Sequence, residues 1–258
     1  SFKDIKKNFP MLWITPYDEK IFGGSSSSRR NFIDRIVANF DLSHTTRINE
    51  YNKLLKQRSK ILKENEVDKI WLNAIEDQLS KLAVAVCSSR LDIISRLIKF
   101  LKKKINGFPN MKLNFLDSIE NELLVRPALE IEKELKENYF KSRKVDALIG
   151  GSLYGCHKTE LSCFNIEKNM SADMCSSGEQ KVLLIAIILA CAKALKDSIK
   201  ISPIMLLDEI FTHLDTSKKS ILFGELRDLG SQIWITTTET DNFLKKYDNV
   251  YYYELKRE

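Results

Sequence analysis

The chain has 258 residues, 43% hydrophobic and 29% charged, with a formal net charge of +6, a balance that fits a folded globular protein and argues against a disordered or fibrous one. Nine glycines and five prolines fall well below averages of about 7% and 5%, which speaks against collagen-like, linker-like and many-turned all-β chains and favours helices. The five cysteines, Cys87, Cys156, Cys163, Cys175 and Cys191, are odd in number and form no CxxC pair, so neither a disulfide scaffold nor a zinc ribbon is indicated and a reducing cytoplasm is expected.

The opening SFKDIKKNFP begins with Ser1 and lacks the apolar core of a signal peptide, so the chain is expected to start inside a longer protein. Residues 1–41 carry 7 basic and 5 acidic residues, 42–147 carry 21 and 15, and 148–258 carry 13 and 15. The basic excess therefore sits in the middle, where it reads either as a polyanion contact or as a solvated helical face. From Ser25 to Asn106 there is no Gly or Pro, and long helices are the natural outcome. Val67, Trp71, Ile75, Leu79, Leu82 and Val86 recur at steps of four and three, as do Leu91, Ile94, Leu97, Ile98 and Leu101, so each set predicts one apolar helix face. A helix of about 35 residues would extend roughly 50 Å, which makes an arm plausible.

Gly107 and Pro109 end that interval; Met111, Leu113 and Phe115 alternate like a short strand, and Pro127 opens a helix to about Lys144. From Ala147 the texture changes. An apolar helix, Val182 to Leu195, is 14 residues long, short of the roughly 20 that cross a bilayer. A strand at Ile204 to Leu207, a helix at Lys218 to Leu229 and strands at Ile233 to Thr237 and Val250 to Tyr253 follow. This alternation predicts an α/β fold with a parallel sheet, the helical interval being inserted between parts of one lobe.

Two segments carry chemistry. In PIMLLDEIFTHLD (Pro203 to Asp215) a buried-strand pattern ends in Asp208 and Glu209, which a parallel strand delivers to its C-terminal edge, where open α/β sheets bind ligands. One carboxylate there can hold Mg²⁺ through its waters, and the other can orient and deprotonate a water attacking a nucleotide γ-phosphate. In CSSGEQK (Cys175 to Lys181), Ser176 and Gly178 open the apolar helix. Free N–H groups at such a terminus form an anion site, while an ordinary helix cap explains the same residues.

Taken together, Ser-x-Gly-Glu-Gln, a helix, apolar-apolar-Asp-Glu and a later Leu-Asp resemble the signature, Walker B and D-loop motifs of ABC-type ATPases in order and spacing. Within that class WITPYDEKIFGGSSSSRRNFID (Trp13 to Asp34), GGSLYGCHKTEL (Gly150 to Leu161) and the two segments above are similar to the RecF family. The resemblance implies a partial ABC-type ATPase head lobe: residues 1–27 and 148–258 in the lobe, 28–147 as a helical insertion domain. It implies ATP and Mg²⁺ as cofactors, Asp208 supporting the metal, Glu209 as catalytic base and Asp215 at a dimer contact. Ser176, Ser177, Gly178 and Gln180 would face the γ-phosphate held by a second copy. Thr237 and Thr238 stand where many ABC proteins have a switch histidine. The implied function is an ATP-dependent homodimer that binds duplex DNA near single-strand gaps in replication and recombinational repair, with RecR and RecO as partners in the cytoplasm.

The chain departs from the family at several points. Cys175 and Ser177 replace the usual leucine and first glycine of the signature, and Thr159 and Glu160 stand where acidic residues are expected. No Walker A loop, G-x-x-x-x-G-K-[ST], occurs in the 258 residues; in the family it precedes the matching segment, so this chain alone is expected not to hydrolyse ATP. Two basic patches, Arg29, Arg30 and Arg35, and Lys99, Lys102, Lys103 and Lys104, are candidates for DNA phosphates or plain surface. A non-hydrolysing remnant that keeps DNA-binding or dimerisation surfaces, and another ABC or SMC-type ATPase, are the alternative readings.

Overall fold

A computed structural model of the protein describes residues 9–64, 68–103, 107–238, 247 and 250–254. Strand β1 (Met11–Ile14) leads into helices α1 (Ser26–Phe40), α2 (His44–Ile61) and α3 (Lys69–Leu101). Strand β2 (Met111–Leu116), helix α4 (Ile119–Glu122) and helix α5 (Ala128–Ile149) follow, then strands β3 (Glu160–Asn165) and β4 (Met170–Ser171). Helix α6 (Ser177–Ile199), strand β5 (Ile204–Asp208), helix α7 (Thr216–Leu229) and strand β6 (Ile233–Thr236) complete the order.

Helix α3 runs for 33 residues because nothing in its sequence breaks it, and Asp68 starts it by accepting the N–H groups of Ile70 and Trp71 at 3.0 Å. Its two stripes serve two cores. Ile75, Leu79 and Val86 pack with Tyr51 and Leu54 of α2 and Leu135 and Tyr139 of α5. Ile94 and Leu97 instead join the main core with Phe32, Ile33 and Val37 of α1. Trp71 stays exposed, and Val67 lies outside the described residues.

The main core is organised by α6, whose residues from Val182 to Ala192 are all buried. A helix apolar on every side must be enclosed. On one side lies a parallel sheet of order β1-β5-β6, with Leu12 beside Met205 and Ile14 beside Leu207. On another lies an antiparallel sheet, β2-β3-β4, which presents Leu113, Phe115, Leu161 and Cys163. Strands β1 and β5 are neighbours although α1 to α6 and the whole of the second sheet separate them in the chain. On the outer face of the parallel sheet Trp13, Leu206 and Trp234 lie in register, and Trp234 is 55% exposed.

The antiparallel sheet is not anticipated by the alternation of strands and helices, and the strand expected at Val250 to Tyr253 is not formed: residues 250–254 adopt no regular secondary structure, with Tyr251, Tyr252 and Tyr253 exposed. Aromatic residues favour strands only where a neighbouring strand and a buried face receive them, and no described strand pairs with these.

The helical layer is fastened by buried ions. The guanidinium of Arg58 on α2 donates to Glu76 of α3 at 2.9 Å, to Asp146 of α5 at 2.7 Å and to the Tyr139 carbonyl at 2.6 Å. Arg90 of α3 similarly donates to Asp34 of α1 at 2.7 and 2.8 Å and to the Cys156 carbonyl at 2.7 Å. Removing one partner of such a cluster leaves the others charged and desolvated. Arg58→Met is therefore expected to lower unfolding free energy by about 3 kcal/mol, measured by chemical denaturation of the folded chain.

Candidate nucleotide-phosphate site

Parallel pairing sets Asp208, the last residue of β5, opposite Thr236, and the Thr236 hydroxyl donates to the Asp208 carboxylate. The chain then leaves the sheet through Glu209, whose φ of 51° lies in the left-handed region that non-glycine residues seldom occupy. The Glu209 N–H donates to the Thr236 carbonyl at 3.1 Å and to its Oγ1 at 3.2 Å. Its carboxylate accepts from Thr212 Oγ1 at 2.8 Å and Thr238 Oγ1 at 3.5 Å. Both acidic side chains remain half-buried at the C-terminal edge of the sheet. Ile210, Phe211 and Leu214 anchor the next turn in the core, and Asp215 caps α7 by accepting the Lys218 N–H at 2.8 Å.

The second group surrounds the start of α6. The Ser176 N–H donates to Glu179 Oε2 at 2.9 Å, one arm of a capping box. Lys168 pairs with the other Glu179 oxygen. Ser176 and Ser177 are exposed. A Cβ placed on Gly178 would meet nothing within 4 Å, so no contact inside the chain requires glycine there. The Gln180 amide turns back to donate to the Cys175 carbonyl at 2.9 Å and the Asp173 carbonyl at 3.3 Å.

These motifs sit on a fold with known counterparts. No protein-family model matches the chain. The DNA replication and repair protein RecF of Rickettsia prowazekii (strain Madrid E) is 37% identical over 250 residues, covering 94% of this chain and 68% of that protein. RecF of Rickettsia conorii (strain ATCC VR-613 / Malish 7) is 36% identical over 246 residues, with the same coverage. The chain belongs to the RecF family. Among solved structures, the recombination mediator protein RecF with ATPrS in the RecFOR pathway superposes with a TM-score of 0.79 at 20% identity, over 93% of this chain and 66% of that one. The same protein with ATP gives 0.77 at 21% identity, over 92% and 64%. The chain thus has the RecF-type ATPase head fold and spans just under two thirds of those solved chains.

Within this RecF family member, Asp208, Glu209 and Thr238 are brought together, while Ser176, Ser177, Gly178 and Gln180 form the separate group at the start of α6. Thr237 lies beyond β6 and is exposed. Asp215 occupies the α7 cap, and Lys218 depresses its carboxyl below the usual range. Two further residues complete the site: Thr236, the first of the threonine run at the switch position, whose hydroxyl meets Asp208, and Thr212, which the motifs do not single out and whose hydroxyl meets Glu209. Strand alternation links Thr236 with Thr238, a relation visible in the run of three threonines.

The arginine patch has other employment. Arg29 pairs with Glu160 at 2.5 Å and donates to the Gly24 carbonyl at 2.7 Å. Arg30 donates to the Thr159 carbonyl at 3.0 Å. Arg35 pairs with Asp18 at 2.9 Å and stacks on Trp13 at 4.6 Å. Lys99, Lys102 and Lys103 are exposed at the end of α3, and Lys104 lies outside the described residues.

Lys168, then the Ser176 N–H, hold the Glu179 carboxyl down to about 2. A carboxylate depressed on folding stabilises the native state above its ordinary pKa and loses that effect as pH falls through the native value. Glu179→Gln is therefore expected to lower the melting temperature at pH 7, with the difference from wild type closing as pH falls from about 4.5 towards 2. Thermal unfolding at stepped pH checks this.

Proposed function

We propose that the chain supplies the signature and the catalytic base of an ATP-dependent DNA clamp acting in replication and recombinational repair, with ATP held between two copies. The observation that carries this reading is the open surface at the start of α6: Ser176 and Ser177 are exposed and Gly178 faces no atom of its own chain. The helix N–H groups there suit an anion supplied from outside. Asp208 and Glu209 stand apart from it at the sheet edge, the arrangement a nucleotide shared between copies calls for.

The roles follow from the environment of each residue. Asp208, oriented by Thr236, suits Mg²⁺, which typically takes one or two carboxylates together with substrate phosphates. When bound, the metal would neutralise phosphate charge. Glu209, with Thr212 and Thr238 steering its carboxylate, orients the attacking water and receives its proton. Gln180 must release the Cys175 and Asp173 carbonyls to reach a phosphate, and Asp215 with the exposed start of α7 borders the contact between copies. Thr237 is assigned to the same phosphate edge.

Lys99, Lys102 and Lys103 are the DNA contacts we favour, since all three residues are exposed. Arg29, Arg30 and Arg35 hold the joint between β1, α1 and β3. We propose residues 1–27 and 148–258 as the ATPase lobe and 28–147 as the helical domain. A RecFOR-type pathway supports DNA, RecR and RecO as partners and a cytoplasmic setting; no helix among the described residues is long and apolar enough to cross a membrane.

With a phosphate-cradling segment supplied upstream of Ser1, Glu209→Gln is expected to give a dimer that persists in ATP, because losing a general base costs about 10² to 10⁴ in rate while nucleotide is still held. Ser176→Arg should remain monomeric. Sedimentation of both variants with and without ATP separates the two roles, and normal dimerisation of Ser176→Arg would contradict the shared site. Replacing Lys99, Lys102 and Lys103 by Glu should weaken DNA binding at all sequences and flatten the log-log salt dependence by about 2.7, at roughly 0.9 per phosphate contact. An unchanged slope in a filter-binding titration would remove these lysines from the interface.

A further inference from the structure

The side chain of Lys181, on the second turn of α6, is 1% exposed. Lysine is almost never buried so completely unless it is paired. Its ammonium donates to the Glu209 carbonyl at 2.7 Å and pairs with Glu19 Oε1 at 2.8 Å. Glu19 lies in the turn that follows β1. No packing need explains a charge here, because the surrounding α6 positions are filled by Val182, Leu184 and Ile185.

Glu209 requires outside help to keep its backbone. A left-handed conformation is unfavourable for a non-glycine residue and persists only where the surroundings fix it. The Glu209 peptide N–H is fixed by Thr236, and its carbonyl is fixed by Lys181. With both flanking groups held, the side chain leaves the sheet towards Thr212 and Thr238.

We propose that Lys181 is a positioning residue for the catalytic base: it holds the Glu209 carbonyl, and with it the backbone that aims the Glu209 carboxylate, while Glu19 holds the Lys181 side chain in place. This rests on the reading of Glu209 as the base. Lys181 is five residues beyond Ser176, about 7.5 Å along the helix at 1.5 Å per residue, so a shift of α6 when Ser176 meets phosphate is carried directly to Glu209. The alignment of the base is thereby tied to occupation of the signature.

Two measurements test this. The first needs no nucleotide: a crystal structure of the Lys181→Met chain, which keeps the side-chain length and removes the ammonium, should show the Glu209 carbonyl turned and its φ moved out of the left-handed region. An unmoved Glu209 overturns the proposal. The second follows ATP hydrolysis with the phosphate-cradling segment supplied. Lys181→Met should lower kcat about tenfold to a hundredfold, the scale of an ångström's misplacement, at unchanged KM, with Lys181→Arg recovering part of the loss.

Wild-type kcat in Lys181→Met, where Glu209→Gln abolishes turnover, overturns the positioning role. If Glu209→Gln itself hydrolyses ATP normally, the base assignment has failed, and the crystal structure alone decides what Lys181 holds. Should Lys181→Met not fold, Glu19→Gln replaces it in both experiments. A several-fold lower kcat with a displaced Glu209 carbonyl supports the proposal, and no change in either overturns it.

Discussion

From Val182 to Ala192 helix α6 has no polar face to turn to water, and everything around it follows from the need to enclose it. The parallel sheet covers one side, the antiparallel sheet another, and α1 with the second half of α3 closes the remainder. Enclosing a helix leaves only its ends free. The N-terminal end carries Ser176, Ser177 and Gly178 to the surface, so the signature is exposed because its helix is buried. Five residues further along, Lys181 brings a charge into the same core and meets the carbonyl of Glu209.

That arrangement separates polar groups into two kinds. Arg29, Arg30, Arg35, Arg58 and Arg90 find carboxylates or carbonyls within the chain and fasten helices to one another, to strand β3 and to turns. At the start of α6, by contrast, Ser176 and Ser177 stay exposed and open space lies beside Gly178. Groups of the first kind account for the fold. Groups of the second kind have a use only when something outside the chain arrives, and a phosphate borne by another copy has the charge and size for it.

Much of this was legible in the residues. The apolar run from Val182 to Leu195, the breaker-free interval before Asn106 and the strand ending in Asp208 and Glu209 each have one physical solution, and each adopts it. The antiparallel sheet was harder to see because Leu161 and Cys163 follow a glycine-rich run that reads as a loop, and β4 is two residues long. The tyrosines at 251–253 look like a strand, but no described strand takes them into its sheet. Among the site residues, Thr236 and Lys181 take their roles from contacts with Asp208 and Glu209, each 28 residues away in the chain, while Thr212 reaches back three residues to Glu209 across a turn whose shape the sequence does not announce. Arg29, Arg30 and Arg35 looked like a phosphate patch because composition cannot reveal that Glu160, Thr159 and Asp18 already occupy them.

The central claim is that hydrolysis takes place in a site built from two copies. The most direct measurement is the single-turnover rate of ATP hydrolysis per protomer as protein concentration is raised, with the phosphate-cradling segment in place and DNA absent. A composite site predicts a rate that climbs with concentration and then reaches a plateau as dimers saturate. A rate per protomer that is the same at every concentration, in a protein that stays monomeric throughout, would contradict it.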